Sequence, residues 1–192
     1  MKEVKYKLSG RGDILFKYLK IMRNDEHLLR LLYYNPIDKN VSYVEFTDPN
    51  LPNVLEFDED KLDEIRSDLI RTSQKSDDIV EKKKTVIFVY FGKSKAKPRN
   101  RLLVDREIIF HILSHNDFSF ASRIEEICDR LDTLFSGQRI GGIGLTEIAN
   151  SFPREAPKEY LAFEQKYTIT DKRAWSIWMF LILKIELFWD YL

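Results

Sequence analysis

The sequence predicts an α+β fold: an antiparallel sheet of about four strands packed against helices, with an N-terminal helical region and an apolar C-terminal extension. Three observations carry that expectation. Apolar residues recur at helical spacing in Ile14, Leu15, Tyr18, Leu19 and Met22 and again in Leu62, Ile65 and Leu69. The runs Thr85–Phe91 and Leu102–His115 are rich in β-branched and aromatic residues. Beyond an amphipathic stretch that ends near Ser136, apolar Leu161, Phe163, Tyr167 and Ile169 alternate with polar Glu164, Lys166 and Thr168, the pattern of a strand with one wet face.

In chain order, the first helix starts at about Asp13, and "NDEHLLRLLYYNP" gives a second, capped by Asn24 or Asp25 and stopped by Pro36. Residues 37–54, interrupted by Pro36, Pro49 and Pro52, read as an extended, irregular crossing. A third helix comes next in "FDEDKLDEIRSDLI", with Asp58 as cap and Phe57 and Leu62 as a hydrophobic staple. A polar joint over 72–84 leads to the two strand-like runs, with "GKSKAKPRNR" between them as a hairpin loop. Ser114 to Asp117 turns the chain into a fourth helix carrying Ile124, Ile127, Cys128, Leu131, Leu134 and Phe135 on one stripe, with Gly137 just past its end. The order is α, α, α, β, β, α, β, β: one domain over 1–172, helical from 13 to 73 and β-β-α-β-β from 85 to 170, then the extension 173–192.

Gly141, Gly142 and Gly144 in "SGQRIGGIGLTEIANSFPRE" resemble a phosphate cradle only in composition. A cradle needs a strand before the glycines and a helix after them, whereas here a helix comes first and a strand second. With no Gly-Lys-Ser/Thr element, a turn or bulge is the expected use of these glycines.

With 192 residues and 44% apolar content, the chain has enough material for one continuous core. Lys plus Arg and Asp plus Glu both total 31, so no global field draws it to nucleic acid or to a membrane surface. The single cysteine, Cys128, excludes an intramolecular disulfide framework and fits a reducing compartment. "MKEVKYKLSGRGD" lacks the apolar core of a signal peptide, so a soluble intracellular protein is expected.

The search for chemistry yields no catalytic residue, no metal ligand set and no cofactor. His111 and His115 are four residues apart, but on a strand that spacing separates them. Cys128 sits on an apolar stripe, and Asp58, Glu59 and Asp60 suit a helix N-terminus. His27 reads as a surface residue, and the Arg11–Asp13 tripeptide as chance. The concentrated feature is the loop, where Lys93, Lys95, Lys97, Arg99 and Arg101 recur at every second position with no acid among them. Those five are the candidate contacts to DNA phosphates or to an acidic partner, the alternative being a solvated hairpin tip.

The extension holds all three tryptophans. Its apolar run Ile177–Leu183 is too short to cross a bilayer, and Lys184, Glu186 and Asp190 interrupt the remainder. Trp175, Trp178, Phe180, Phe188, Trp189 and Tyr191 form a candidate subunit interface; packing into the chain's own core is the alternative.

The segments "ILFKYLKIMRNDEHLLRLLYYNPIDK", "LEFDEDKLDEIRSDLI", "REIIFHILSHNDFSFASRIEEICDRLDTLFSGQRIGGIGLTEIAN" and "YLAFEQKYTITDK", taken in order, resemble the tail terminator or tail completion proteins of the bacteriophage neck. The features in common are an "LLYY" element near the N-terminus, a strand, a helix ending in a polar turn, a "GIG" hairpin and a final strand, over about Asp13 to Lys172. The resemblance implies a structural virion protein and no enzyme: a homo-oligomeric, usually hexameric, ring that closes the tail tube. Its partners would be copies of itself, the tail tube protein and the head connector or stopper, with packaged DNA meeting the basic loop, and no membrane. It would assemble in the host bacterial cytoplasm and reside in the neck of the virion. The alternatives are another connector ring, such as a stopper, and a small nucleic-acid-binding or enzymatic accessory protein.

Overall fold

The computed structural model describes residues 11–34, 48–72, 83–117, 123–141 and 144–172. Its helices are α1 (Arg11–Arg23), α2 (Glu26–Tyr33), α3 (Glu59–Leu69) and α4 (Arg123–Phe135), with a 3-10 turn at Val54–Glu56. Its strands are β1 (Ile70–Arg71), β2 (Thr85–Lys97), β3 (Asn100–His115), β4 (Glu147–Arg154) and β5 (Tyr160–Lys172). They form one sheet in the order β1-β2-β3-β5-β4. The fold is α+β, as the sequence predicts. The sheet differs in one respect: two residues of β1 pair in parallel with β2 at Ile70–Ile87 and Arg71–Phe88, making it mixed. A pair of residues directly continuing a helix carries no periodicity from which a strand could be read.

Local rules account for the helix ends. Asp25 caps α2 by accepting from the Leu28 N–H at 2.8 Å, and Asp58 caps α3 by accepting from the Lys61 N–H at 3.0 Å. Phe57 and Leu62 both join the core, as the staple requires. Gly137, at φ +73, comes after the last turn of α4, where a left-handed residue ends a helix without the Cβ penalty.

Nonlocal ties lock the helices together. Asp25 also accepts two hydrogen bonds from the Arg130 guanidinium on α4, at 2.9 and 2.5 Å. At the other end of α2, buried Arg123 donates to the Leu31 and Tyr34 carbonyls, each at 2.7 Å. These carbonyls belong to the last turn of α2, so one guanidinium satisfies acceptors the helix itself leaves open. On α3, Arg66 donates to the Arg23 carbonyl at 2.7 Å and to the Asn24 side chain at 2.8 Å, holding that helix to the end of α1.

All four helices lie over one sheet face. Ile14, Tyr18, Met22, Leu28, Leu32, Leu62, Ile65, Ile127, Leu131 and Phe135 share a core with Ile87, Val89, Ile108, Phe110, Ile112, Tyr167 and Ile169. Phe110 stacks on Phe135 at 5.2 Å and meets Tyr167 edge-on at 5.4 Å. The opposite face carries a second buried cluster: Val86, Phe88, Leu113, Tyr160 and Ala162.

Two sequence expectations are corrected. "GKSKAKPRNR" is not a ten-residue loop: β2 continues through Lys97 and β3 resumes at Asn100, leaving Pro98 and Arg99 as the turn. Register shifts between Phe91 and Ser94 and between Ala96 and Lys97 admit bulges, and backbone pairing sustains strands that lysine-rich composition does not favour. The wet face of β5 is also corrected: Glu164 on it is 3% exposed and Lys166 and Thr168 are half-buried, whereas Leu161 on the apolar side is 45% exposed. The cause is that the second sheet face is itself packed: it carries a buried cluster, and Arg154 and Lys166 close over the Glu164 carboxylate there.

Candidate functional site

The glycine stretch is a docked turn. The connection from α4 to β4 is closed at its neck, with the Gly137 N–H donating to the Thr146 carbonyl and the Thr146 N–H to the Gln138 carbonyl, both at 2.8 Å. Thr146 is buried, and its hydroxyl shares a 2.6 Å hydrogen bond with the Tyr18 hydroxyl on α1. Gly141, at φ +74, lies so close to α1 that an added Cβ would sit 3.2 Å from the Ile14 Cα. Of the "GIG" element only Gly144 is among the described residues, its N–H donating to the Thr170 carbonyl at 3.3 Å, and the hairpin proper is the β4–β5 turn. Gly142 and Ile143 lie outside the described residues.

The basic residues run along the β2–β3 ribbon, beside acids that the run of charges in the chain does not reveal. Lys93, Lys95 and Arg99 are exposed, and Lys97 is half-buried. Asp105 is the cross-strand partner of Lys95 and forms a 3.3 Å salt bridge with Lys97. Glu107 accepts from the Lys93 N–H at 3.1 Å. Two carboxylates therefore offset part of the charge that looked unopposed. What remains is an exposed cationic edge able to contact phosphates singly, with no aromatic side chain interleaved among its lysines for base stacking. The Arg101 side chain lies outside the described residues, as do Trp175, Trp178, Phe180, Phe188, Trp189 and Tyr191.

A charged cluster that sequence reasoning missed occupies the second sheet face. Arg154 on β4 holds the buried Glu164 carboxylate with two hydrogen bonds, at 2.8 and 3.2 Å, and Lys166 reaches it at 3.0 Å. Both cations also lie over the Phe152 ring, 4.6 and 5.0 Å from its centre. Burial pushes the Glu164 carboxyl up, but hydrogen bonds and charge from Arg154 and Lys166 outweigh it and hold the group below its usual range. His111 is directly across the β3–β5 register from Glu164. Burial lowers its pKa, Glu164 pulling it up and Arg154 down. A carboxylate already engaged by two cations is a poor proton acceptor, so this arrangement orders the hairpin and is ill suited to acid–base chemistry. The available signal was the β4–β5 turn: folding the hairpin about residues 155–159 puts Arg154 near Glu164.

A third polar group lies beneath α4. The Tyr167 hydroxyl and the Gln165 amide both donate to one Asp132 carboxylate oxygen, each at 2.5 Å, and Gln165 also donates to the Tyr167 hydroxyl at 2.9 Å. Burial, reinforced by Asp132, raises the Tyr167 pKa, so the phenol stays a donor. Cys128 behaves as packing: burial first, then Asp132, Glu125 and Asp129, pushes its thiol up to about 12.

His111 and His115 fall on one strand and are not brought together as a ligand pair; His115 instead faces Tyr160, with Asp117 and Glu159 near its nitrogens. Among the described residues, no group of three or more His, Cys, Asp or Glu is placed to hold a metal ion. No helix among them is long and apolar enough to cross a membrane. A shallow cleft of about 690 Å³, lined by Glu26, His27, Arg30, Asn50, Asn53 and Glu56 among others, adjoins α2. Among the described residues, four large apolar side chains are exposed: Phe16 on α1, Leu145 before β4, Ile148 on β4 and Leu161 on β5.

No curated protein matches the chain. The YomW family model matches residues 25–169, which span α2 and every later described element but the last residues of β5. The chain therefore belongs to the YomW family, a phage-derived, Bacillus prophage-type family.

Proposed function

We propose that the protein is a structural component of the phage neck, a tail terminator or completion protein whose copies form a hexameric ring joining the tail tube to the head connector. The observation that carries this reading is the free edge of β4, with exposed apolar residues on and near it. β4 pairs only with β5, leaving its other edge unpaired among the described residues. Leu145 (45% exposed), Ile148 (47%) and Leu161 (45%) lie along this side of the sheet, and Phe16 (55%) projects from α1. A ring joins one patch of each subunit to a different patch of the next, and two separate apolar exposures supply such a pair. Phage derivation of the family supplies the setting. The β4 edge carries Pro153 and a bulge at Ile148–Asn150, which discourage indiscriminate strand pairing while leaving side-chain contact open.

In this reading the β2–β3 ribbon turns its lysines toward the channel or an acidic neighbouring ring, and no chemistry is required. Mass measurement in solution tests the assembly. The wild-type chain should form a closed ring, and Ile148→Lys should yield a folded monomer. A wild-type chain that stays monomeric at assembly concentrations and is retained by DNA would instead support an accessory nucleic-acid-binding protein. A ring unaffected by Ile148→Lys removes β4 from the interface.

A further inference from the structure

Net charge is zero over the whole chain, but on the folded surface the signs are sorted. Exposed Glu59, Asp60, Asp63 and Glu64 lie along α3 with one exposed cation of that helix, Lys61, which sits over the Phe57 ring at 4.0 Å. The other cation of α3, Arg66, is turned toward the Arg23 carbonyl and the Asn24 side chain. On the β2–β3 ribbon, Lys93, Lys95, Lys97 and Arg99 outnumber Asp105 and Glu107. Among the described residues no ion pair joins these acids of α3 to the cations of the ribbon.

We infer that the ribbon of one copy docks on the acidic face of α3 in a second copy of this chain. The contact rests on the ring reading and makes the next copy the acidic neighbour of the ribbon. Each charged patch adjoins one of the apolar exposures of that reading. Phe16 lines a cleft of about 590 Å³ with Leu19, Asp63, Glu64 and Ser67, so the apolar side chain and the acids form one surface. Lys20 and Arg23 share the lining, and Arg23 is spent on the Ile70 carbonyl at 3.1 Å. Leu145 is beside the ribbon's end of the sheet. Its neighbour Gly144 donates to the Thr170 carbonyl, Thr170 pairs with Asp105, and Asp105 pairs with Lys95. Three strand spacings of ~4.8 Å put Leu145 roughly 14 Å from the ribbon.

One patch thus couples an exposed apolar side chain to cations, and the other couples one to acids. Joining like patches would set acids on acids or lysines on lysines, whereas joining unlike ones matches both charge and apolar surface. A ring repeats one such heterologous contact from copy to copy. Exposed ion pairs contribute little affinity each, so Phe16 and Leu145 would hold the copies together while the charges decide which faces meet. Lys97 stays with Asp105 at 3.3 Å, which leaves Lys93, Lys95 and Arg99 to reach across.

Charge exchange in the full-length chain, read by analytical ultracentrifugation, tests the pairing. Lys93→Glu with Arg99→Glu reverses the ribbon, Asp63→Lys with Glu64→Lys reverses the helix face, and far-ultraviolet circular dichroism checks that each double variant folds. Alone, each should associate at least about tenfold more weakly than wild type. Mixed in equal amounts they should assemble again, because the acidic ribbon of one meets the lysines on α3 of the other, and the unchanged ribbon and helix meet likewise. Assembly unchanged in either variant, or a mixture no better than each alone, would overturn this contact and leave the ring reading standing. A ribbon variant that assembles as wild type but loses salt-dependent retention of duplex DNA would also overturn it, giving the ribbon to phosphate. A wild-type chain that stays monomeric would remove the ring reading and this contact together. Should a reversed variant not fold, wild type alone decides: raising salt from about 0.05 to 0.5 M should weaken association several-fold, and a salt-independent ring would overturn the contact.

Discussion

Gly137 and Gly141 provide a controlled pair, since their backbones have nearly the same left-handed φ, +73 and +74, in different surroundings. An alanine at either position incurs roughly 1–2 kcal/mol for φ, partly offset by about 0.4–1 kcal/mol from a stiffer unfolded chain. At Gly137 nothing lies within 4 Å of the added Cβ, so Gly137→Ala should cost only about 0.5–1.5 kcal/mol. At Gly141 the Cβ would meet the Ile14 Cα and Cγ1 at 3.2 Å and the Lys17 Cδ at 3.3 Å. Lysine can swing away, but the α1 backbone is held by Ile14, 2% exposed, and Tyr18, 0% exposed with its hydroxyl on Thr146. Overpacking against a fixed backbone adds about 1–3 kcal/mol, giving about 2–4 kcal/mol for Gly141→Ala. At about 2–4 °C per kcal/mol, its melting temperature should fall clearly below that of Gly137→Ala. Urea titration of the two variants measures the difference at equal slope. Coincident midpoints would show that the backbone at Gly141 yields freely and is not docked on α1, refuting the account of the glycine stretch.

Other outcomes are expected from the charged and buried groups. Glu164 and Asp68 both have carboxyl pKa values below their usual range; at Asp68 too burial pushes upward and is outweighed by Lys84 and Arg71. A lowered folded-state pKa stabilises above the unfolded value of about 4 and is lost as pH falls through the folded value, so stability should decline below pH ~4. Glu164→Gln should lower the urea midpoint at pH 7, and the difference from wild type should shrink as pH falls through the lowered pKa of the folded-state carboxylate. Arg123→Met strands two carbonyls at the end of α2 at about 1–3 kcal/mol each; calorimetry should show a loss of more than ~2 kcal/mol, and an unchanged melting point would mean that water replaces the guanidinium. Cys128 is half-buried with its thiol pushed up to about 12, so it should react slowly with a thiol reagent at pH 7 and faster as pH rises; rapid labelling at pH 7 would contradict the raised pKa. Replacing Lys93, Lys95, Lys97 and Arg99 by Gln should leave the fold intact and flatten the salt dependence of any DNA binding by about 0.9 for each phosphate no longer neutralised.

The helices were legible because their determinants are local. A cap such as Asp58 acts on an N–H three residues away, and the stripe Ile127, Leu131 and Phe135 repeats within one element. The same holds for Gly137, whose place just past a periodic run is enough to identify a helix end. Strands depend on what lies beside them. Lys93 to Lys97 reads as a loop by composition and becomes a strand because Asp105 and Arg106 present a backbone partner across the ribbon. Glu164 reads as solvent-facing by alternation and is buried because β4 supplies Arg154 from the neighbouring strand. Strand order decides both, and one sequence does not specify it.

The same distinction governs the candidate site. The basic residues were visible as a run along the chain, but a run counts only charges adjacent in sequence, whereas the field at a surface sums charges adjacent in space. Asp105 and Glu107 come after the lysines in sequence by only a turn and a few residues, and the hairpin folds them back alongside. The ribbon is consequently a mixed-charge edge with a cationic excess, suited to selective contact with one neighbour more than to indiscriminate attraction of polyanions. An apolar face obeys the opposite logic: Val86, Phe88, Leu113, Tyr160 and Ala162 come from three strands and form no pattern along the chain. Only the sheet assembles them, by bringing β2, β3 and β5 side by side so that the five pack on one another on the face away from the helices.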